Sequence, residues 1–254
     1  MEKKISQIRE EFEKGNREEW YGLIRIYEND CRSGVKTLLG RYQKKLDDWK
    51  KEEIRLEGML KFERMYPDLT YICGIDEAGR GPLAGPVVAG AVILPKDFKI
   101  PYLNDSKQLS AARRDQLYDE IMKQAVSVGV GMASPARIDE INILQATYEA
   151  MRQAIDALSE RPQILLNDAV RIPEVEILQV PIVKGDSKSL SIAAASVIAK
   201  VTRDRLMMEY DTVMPEYGFA GHKGYGSAAH IAAIKKYGPS PIHRASFIKN
   251  FVEV

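Results

Sequence analysis

The chain has 254 residues and a formal net charge of +1, because its 37 basic and 36 acidic side chains nearly cancel. The length allows a full core, and the near-neutral charge excludes a uniformly basic surface, so any nucleic-acid site must be a local patch. The two cysteines form no C-x-x-C pair and no apolar run could cross a bilayer, so we expect a cytoplasmic protein with neither disulfides nor a membrane partner.

The first 69 residues are predicted to form a helical, highly charged N-terminal extension. They contain 16 Lys/Arg and 15 Asp/Glu. Apolar residues recur there at steps of three and four, which is typical of an amphipathic helix. This stripe comprises Val35, Leu38, Tyr42, Leu46, Trp49, Leu56 and Leu60, and a shorter helix is predicted around Ile5, Ile8 and Phe12. Because Pro67 disfavours helix in the residue before it, we predict a domain boundary near residue 70.

From residue 71 to the end, the pattern changes to strands and helices. Runs rich in β-branched residues predict strands over 71–75, 87–94 and 125–132, with shorter ones over 164–166 and 175–180. Helices are predicted after Ser110, after Ser134, after Ser189 or Ser191, and over 228–237. Two strands followed by alternating helices and strands predict an α/β domain with a mixed sheet covered by helices.

Four carboxylates lie at the ends of predicted elements or in loops. They are Asp76, Glu77, Asp168 and Asp186. Strand ends can converge in one sheet, and converging carboxylates repel strongly unless cations neutralise them. Carboxylates suit Mg²⁺ or Mn²⁺, and two such ions about 4 Å apart can activate a water and stabilise a leaving oxygen. Each aspartate taken singly also fits an ordinary turn or cap.

A glycine-flanked arginine, Gly79-Arg80-Gly81, follows the first two carboxylates. Bare backbone amides can approach a phosphate closely there, and the guanidinium can bind it. The spacing to Gly85 does not match the G-x-G-x-x-G nucleotide fingerprint, and no P-loop motif occurs. A tight strand connection is the alternative. Metal and phosphate chemistry side by side predict cleavage of a phosphodiester.

Two other loops place lysines beside hydroxyl groups. Their candidate phosphate-binding residues are Ser106, Lys107, Lys184, Ser187 and Lys188. A solvated turn is the alternative for each loop. Tyr225, between two glycines, is predicted to stack on a sugar or a base, with a buried core tyrosine as the alternative.

Together these motifs resemble those of bacterial ribonuclease HII. The resemblance rests on Asp168 and on the segments 76–87, 104–110, 185–188, 193–204, 221–226 and 243–247, and it covers about residues 70–250. It implies a ribonuclease H-like fold, and residues 1–69 resemble the extension found on such enzymes in Bacillus-like bacteria. One departure is Asn167, which stands where we expect an apolar residue before the third carboxylate.

The resemblance implies an endonuclease that cleaves RNA in RNA·DNA hybrids. It also implies incision on the 5′ side of single ribonucleotides in duplex DNA, leaving 3′-hydroxyl and 5′-phosphate ends, as in primer removal and ribonucleotide excision repair. By resemblance, Asp76, Glu77, Asp168 and Asp186 bind two Mn²⁺ or Mg²⁺ ions. Gly79, Arg80 and Gly81 would read the 2′-hydroxyl and its flanking phosphates, and Tyr225 would pack on the neighbouring deoxyribose. The 2′-hydroxyl is what distinguishes such a substrate from plain DNA.

Two other functions stay open at this point. One is a structure-selective DNA nuclease on the same fold, which would cut all-DNA duplexes. The other is a non-catalytic nucleic-acid-binding module that uses residues 1–69 as a partner surface. Clustered acids repel phosphates and so disfavour the second. We expect a monomer.

Overall fold

The structure is a computed structural model that describes residues 3–96, 98 and 100–250. The chain divides into two compact units, Met1–Glu57 and Gly58–Val254. This division falls ahead of residue 70, where the sequence places a domain boundary. Within the described ranges, no helix combines the length and the apolar character that a membrane crossing demands.

The first unit is helical. Its helices are α1 (Ile5–Lys14), α2 (Arg17–Tyr27) and α3 (Ser33–Met59), the last two residues of which fall in the second unit. Two of them match the predicted helices, whereas α2 was not predicted because its apolar residues are interspersed with charges. Three residues of the predicted stripe, Val35, Leu38 and Tyr42, form a small core with Ile8 and Phe12 of α1, so the stripe is confirmed over its first part.

The second unit contains a five-stranded mixed sheet, as the sequence predicts. Its strands are β1 (Ile72–Ala78), β2 (Val87–Ile93), β3 (Ser127–Ala133), β4 (Ile164–Asp168) and β5 (Leu178–Ile182). The strand order is β3-β2-β1-β4-β5. The pairs β1–β2 and β2–β3 are antiparallel, whereas β1–β4 and β4–β5 are parallel. Strand β1 is therefore central and belongs to both kinds of ladder.

The second unit contains six further α-helices in its described residues. They are α4 (Ala111–Gln124), α5 (Pro135–Asp156), α6 (Leu190–Val213), α7 (Phe219–His222), α8 (Ala228–Tyr237) and α9 (Ala245–Ile248). The first three, α4, α5 and α6, begin where the serine signals place them. Ser110, Ser134 and Ser189 each accept a hydrogen bond from the first turn of the helix that follows, so Ser189 and not Ser191 caps α6. Single-turn helices α7 and α9 are too short to show a period.

Helix α5 departs from the continuous helix that the sequence predicts. Asn142 has φ 68°, and its side chain accepts hydrogen bonds from the N–H groups of Leu144 and Gln145. An asparagine tolerates the left-handed region and caps a new helical start. The helix is therefore kinked at Asn142.

Helices cover both faces of the sheet, with α5 on one and α6 on the other. The approach of α6 is close, because a Cβ built on Gly74 of β1 would lie 2.0 Å from the backbone of Ser191. Only glycine fits there. The start of α6 is thereby held directly against the central strand, close to the predicted catalytic carboxylates Asp76 and Glu77.

Candidate active site

Asp76 and Glu77 are carried by the central strand. The sequence predicts that this strand ends at residue 75, whereas β1 continues to Ala78. The prediction was wrong because β2 extends the ladder: β4 pairs with β1 only as far as Ile75, but Asp76 still lies opposite Gly90 of β2. Both carboxylates thus project from a rigid strand at the point where its parallel partner stops.

Asp168 ends β4 and lies on the same face of the sheet as Asp76. Leu166, two residues earlier, packs with Ile192 of α6, and side chains two apart on a strand share a face. Asp76 lies two residues after Gly74, whose Cβ side faces α6, and the side chain of Ser196 in α6 partly offsets the raised pKa of Asp76. The face covered by α6 therefore carries two carboxylates from distant parts of the chain.

Asn167, the departure from the expected pattern, points to the opposite face. Its amide nitrogen donates to Gln179 Oε1 at 2.9 Å and to the carbonyl of Val170 at 3.2 Å, and the side chain is fully buried. Because neighbouring residues on a strand alternate between faces, a polar side chain at position 167 leaves Asp168 in place.

Asp186 approaches Asp168 from a short 3₁₀ helix, Gly185–Ser187, that follows β5. The Gly185 N–H donates to Asp168 Oδ1 at 2.7 Å, which ties this turn to the end of β4. Asp186 is only 7% exposed, and its Oδ2 lies 3.8 Å from Lys107 Nζ. Residues near the ends of β1 and β4 and in this turn are thus brought to one corner of the domain.

Burial and mutual repulsion act on these carboxylates together. Burial, then Glu77 and Asp168, raise the pKa of Asp76 well above its usual value. Burial and Asp168 also raise the pKa of Glu77. For Asp186, burial, then Asp105 and Asp168, raise the pKa. The four predicted carboxylates therefore interact electrostatically, and their site holds a surplus of negative charge.

Two side-chain cations offset part of this charge. Arg80 Nη1 lies 3.3 Å from Glu77 Oε1. Burial lowers the pKa of Lys107, but the surrounding carboxylates, Asp105 first, raise it on balance. Both cations are single charges at the exposed rim, and the pKa values of Asp76 and Glu77 stay raised in their presence.

The donor set suits divalent cations. Carboxylate oxygens are the ligands that Mg²⁺ and Mn²⁺ prefer, and a bound cation would relieve the repulsion. In the described parts of the chain, no three His, Cys, Asp or Glu side chains already form a group that could hold a metal ion. Their oxygens are engaged by the N–H groups of Glu77 and Gly185 and by Lys107.

The loop after β1, residues 79–86, is held by two arginines whose side chains are fully buried, Arg203 of α6 and Arg244. All their hydrogen bonds go to backbone carbonyls. The acceptors are Pro86, Lys223 and Ala84 for Arg203, each at 2.9 Å, and Gly79, Arg80 and Gly85 for Arg244. Burial lowers the pKa of both groups, to about 9 for Arg244. The loop is thereby fixed from its inner side.

Two N–H groups of this loop face outward. Because the carbonyls of Gly79 and Arg80 turn toward Arg244, the N–H groups of Arg80 and Gly81 point the opposite way in their trans peptides. Neither N–H donates to a protein acceptor among the described residues. Gly79 has φ 95°, and a Cβ there would lie 2.1 Å from Arg203 Nε, so the position requires glycine.

Tyr225 is exposed, as predicted for a residue that stacks on a ligand; its exposed fraction is 45%. Its ring centre lies 5.7 Å from Lys200 Nζ and 5.9 Å from Arg203 Cζ, both on α6. The turn that carries it is tied to the 79–86 loop, since the Leu83 N–H donates to the Gly224 carbonyl at 2.8 Å. The loop and the tyrosine therefore lie side by side.

The side chains of three other predicted binding residues make hydrogen bonds within the protein. Ser106 is buried, and its hydroxyl pairs with that of Ser196 at 2.8 Å. Lys188 Nζ donates to a backbone carbonyl of its own loop at 2.8 Å, and the Ser187 hydroxyl donates to the carbonyl of Lys184 at 3.0 Å. These side chains support their loops, whereas Lys107 faces the carboxylates.

Sequence reasoning missed the residues that position the site. They are Asp105, Ser196, Arg203 and Arg244. A signal exists for Arg203: it lies on a buried stripe of α6 with Ala199 and Met207 four residues to either side. A charged residue in such a stripe indicates a buried, hydrogen-bonded group. The short segment around Arg244 has no comparable pattern.

Family models match both parts of the chain. The model of ribonuclease HII matches residues 73–250, and the model of the ribonuclease HII N-terminal domain matches residues 4–67. The first alone spans well over half of the chain.

Individual proteins agree with the family models. The chain is 63% identical to ribonuclease HII of Lachnoclostridium phytofermentans, over 98% of both chains, and 52% identical to ribonuclease HII of Clostridioides difficile, over 99% of this chain and all of that one. The crystal structure of ribonuclease H2 from Pyrococcus horikoshii OT3 is similar with a TM-score of 0.58 and 28% identity, covering 72% of this chain and 99% of that one. The chain therefore belongs to the ribonuclease HII family and is an endonuclease of the ribonuclease H type.

Proposed function

We propose that this endonuclease cleaves the RNA strand of RNA·DNA hybrids and incises duplex DNA on the 5′ side of a single ribonucleotide, leaving 3′-hydroxyl and 5′-phosphate ends. One observation carries the proposal. The acidic corner formed by Asp76, Glu77, Asp168 and Asp186 adjoins a rigid loop with two outward N–H donors. Such a site suits removal of RNA primers and excision of misincorporated ribonucleotides.

The four carboxylates form the catalytic set in this proposal. They would hold two Mn²⁺ or Mg²⁺ ions, and these ions would supply an activated water and charge stabilisation for the leaving oxygen. The chain's own contribution is to hold the acidic oxygens in a partly buried corner. There, the N–H groups of Glu77 and Gly185 orient Asp76 and Asp168, and Lys107 balances Asp186.

The outward face of the loop provides ribonucleotide recognition. The N–H groups of Arg80 and Gly81 are donors, and a 2′-hydroxyl oxygen can accept from them, whereas deoxyribose offers no such oxygen. The Arg80 guanidinium, with 45% of its side chain exposed, lies within reach of a flanking phosphate. Because Arg203 and Arg244 immobilise the loop, little ordering is left to occur on binding.

We infer that the chain consists of a catalytic domain and an N-terminal extension. Every residue in the proposed site lies between 76 and 244, so we assign catalysis to a domain of residues 70–254, inside the second compact unit, and treat residues 1–69 as an extension. All the groups come from one chain, which suits a monomer acting on duplex nucleic acid.

Tyr225→Ala is expected to impair incision at a lone ribonucleotide about tenfold more than cleavage of an all-RNA strand, because stacking of a ring on one nucleotide is worth about 1–3 kcal/mol. A lone ribonucleotide places a deoxyribose beside the scissile phosphate, and an all-RNA strand does not. Initial rates on both substrates measure the effect. Tyr237→Ala is the control, since Tyr237 is 50% exposed on α8 of the same unit. Equal losses on both substrates would argue against junction sensing.

The proposal as a whole is tested with a labelled duplex that carries one ribonucleotide, incubated with Mn²⁺, with Mg²⁺ and with chelator, beside an all-DNA duplex. We expect a single metal-dependent cut 5′ of the ribonucleotide, with a 3′-hydroxyl that a polymerase can extend. Cutting of the all-DNA duplex would favour the structure-selective DNA nuclease instead. Membership of an endonuclease family removes the non-catalytic module from the alternatives.

A further inference from the structure

Three histidines lie together beneath the turn that carries Tyr225. His230 and His243 are buried, and their Nε2 atoms are 3.0 Å apart. His222 stacks on His230, with ring centroids 4.2 Å apart and planes 18° apart. The proposed mechanism assigns no role to this cluster. Its spacing in the sequence gives no metal-binding pattern, and every ring nitrogen already has a protein partner.

The hydrogen bonds assign the protons of His243 and His230. The Ser240 N–H donates to His243 Nδ1 at 2.9 Å, so Nδ1 carries a lone pair and the proton of the neutral ring is on Nε2. That proton is then donated to His230 Nε2. His230 must in consequence carry its own proton on Nδ1. Burial lowers the pKa of both rings, to about 4 for His243, which keeps them neutral.

The last bond of this series reaches Tyr225. His230 Nδ1 lies 2.9 Å from the Tyr225 carbonyl oxygen, which also accepts from the Ser227 N–H at 2.8 Å. Both lone pairs of that oxygen are therefore used, and the peptide after Tyr225 is fixed against α8. The neighbouring Gly224 N–H donates to His222 Nδ1 at 3.1 Å. The backbone that carries the exposed Tyr225 ring is therefore hydrogen-bonded to the imidazoles of His222 and His230.

We propose that His230, oriented by His243, is a positioning residue that holds the Tyr225 turn in the geometry required to recognise the RNA–DNA junction. The inference rests on the proposed role of Tyr225. His230 touches neither the substrate nor the acidic corner. His230 acts through its hydrogen bond to the Tyr225 carbonyl. Its loss should therefore impair incision at a single ribonucleotide more than cleavage of an RNA·DNA hybrid, as loss of the Tyr225 ring does.

Two substitutions at one position separate this role from simple packing. In His230→Asn the amide nitrogen lies near the place of Nδ1 and can donate to the Tyr225 carbonyl. In His230→Gln the amide lies near the place of Nε2, where it can pair with His243 but leaves the carbonyl of Tyr225 without this donor. Both variants remove the ring and retain a polar group. The readout is the ratio of kcat/KM on a single-ribonucleotide duplex to kcat/KM on an RNA·DNA hybrid.

We expect His230→Gln to lower this ratio by about threefold to tenfold, mainly through KM, as loss of one hydrogen bond would. His230→Asn should keep the ratio within about twofold of the wild-type value. Adding His230→Gln to Tyr225→Ala should lower the ratio no further. Equal ratios in the two variants, or rates that fall together on both substrates, would overturn the proposal. Melting temperatures show whether each variant is folded.

His243→Asn tests the same series from its other end if His230→Gln does not fold. It removes the donor to His230 Nε2, so the ratio should again fall, and an unchanged ratio would overturn the proposal. Measurements on the wild-type protein distinguish failure of the proposed function from failure of the positioning role of His230. If it does not incise at a single ribonucleotide, the proposed function fails; if it does and the variants keep its ratio, only the positioning role fails.

Discussion

Asp76→Asn is expected to lower turnover by on the order of a thousandfold or more, while the variant still binds the RNA–DNA duplex. Asp76 is 4% exposed and lies at the centre of the acidic corner, where Glu77 and Asp168 raise its pKa. Asparagine has the same shape and can keep the hydrogen bond from the Glu77 N–H, but it removes the charge that would hold a divalent cation. Single-turnover cleavage with Mn²⁺ and with Mg²⁺, beside a binding titration, measures both quantities.

Folding provides the control for this variant. Because the substitution removes a buried negative charge from among like charges, the melting temperature of the metal-free variant should be no lower than that of the wild-type protein. A well-folded variant with near-normal turnover would contradict the catalytic role of Asp76. A variant that neither cleaves nor binds the duplex would show that the negative charge of Asp76 is needed for substrate binding as well as for cleavage.

Arg203→Met is expected to lower the free energy of unfolding by about 3 kcal/mol or more, because three buried carbonyls lose their donor at once. Those carbonyls belong to Ala84 and Pro86 in the 79–86 loop and to Lys223 beside Tyr225. The loop and the tyrosine turn should therefore loosen together, and KM for a ribonucleotide substrate should rise. Urea denaturation followed by circular dichroism gives the stability, and steady-state kinetics give KM.

Arg205→Met is the matched control on the same helix. Arg205 is on the exposed side of α6, with 46% of its side chain accessible, and pairs with Asp115 at 3.1 Å. An exposed pair of this kind contributes about 1 kcal/mol or less, so the same substitution there should change stability little and KM not at all. If the two variants lost the same stability, Arg203 would not be the support of the loop.

Strand and helix positions of the second unit follow from local chemistry, which explains why most could be predicted. Ser110 and Ser134 cap helices because their side chains satisfy free N–H groups of the first turn. The end of β1 could not be predicted in this way. Its extension through Asp76 depends on pairing with β2, and the polar residues there carry no strand signal of their own.

The candidate site was predictable where adjacent residues combine two chemistries, as in Asp76-Glu77 followed by Gly79-Arg80-Gly81. It was not predictable where the chemistry depends on distant partners. Arg203 and Arg244 bind carbonyls of the 79–86 loop, more than a hundred residues away, and which of those carbonyls turn inward is decided by the loop conformation. The proton positions of the histidine cluster likewise depend on a backbone N–H outside the cluster.

The most direct test of the account is calorimetric titration of Mn²⁺ into the wild-type protein, Asp168→Asn and Asp186→Asn. These residues come from β4 and from the turn after β5, so both can affect one cation site only if the fold brings them to Asp76 and Glu77. We expect each substitution to weaken Mn²⁺ binding by about tenfold or more, because loss of a residue that only hydrogen-bonds to a metal ligand already costs about that much. Unchanged Mn²⁺ affinity in both variants would contradict a shared metal site built by these four carboxylates.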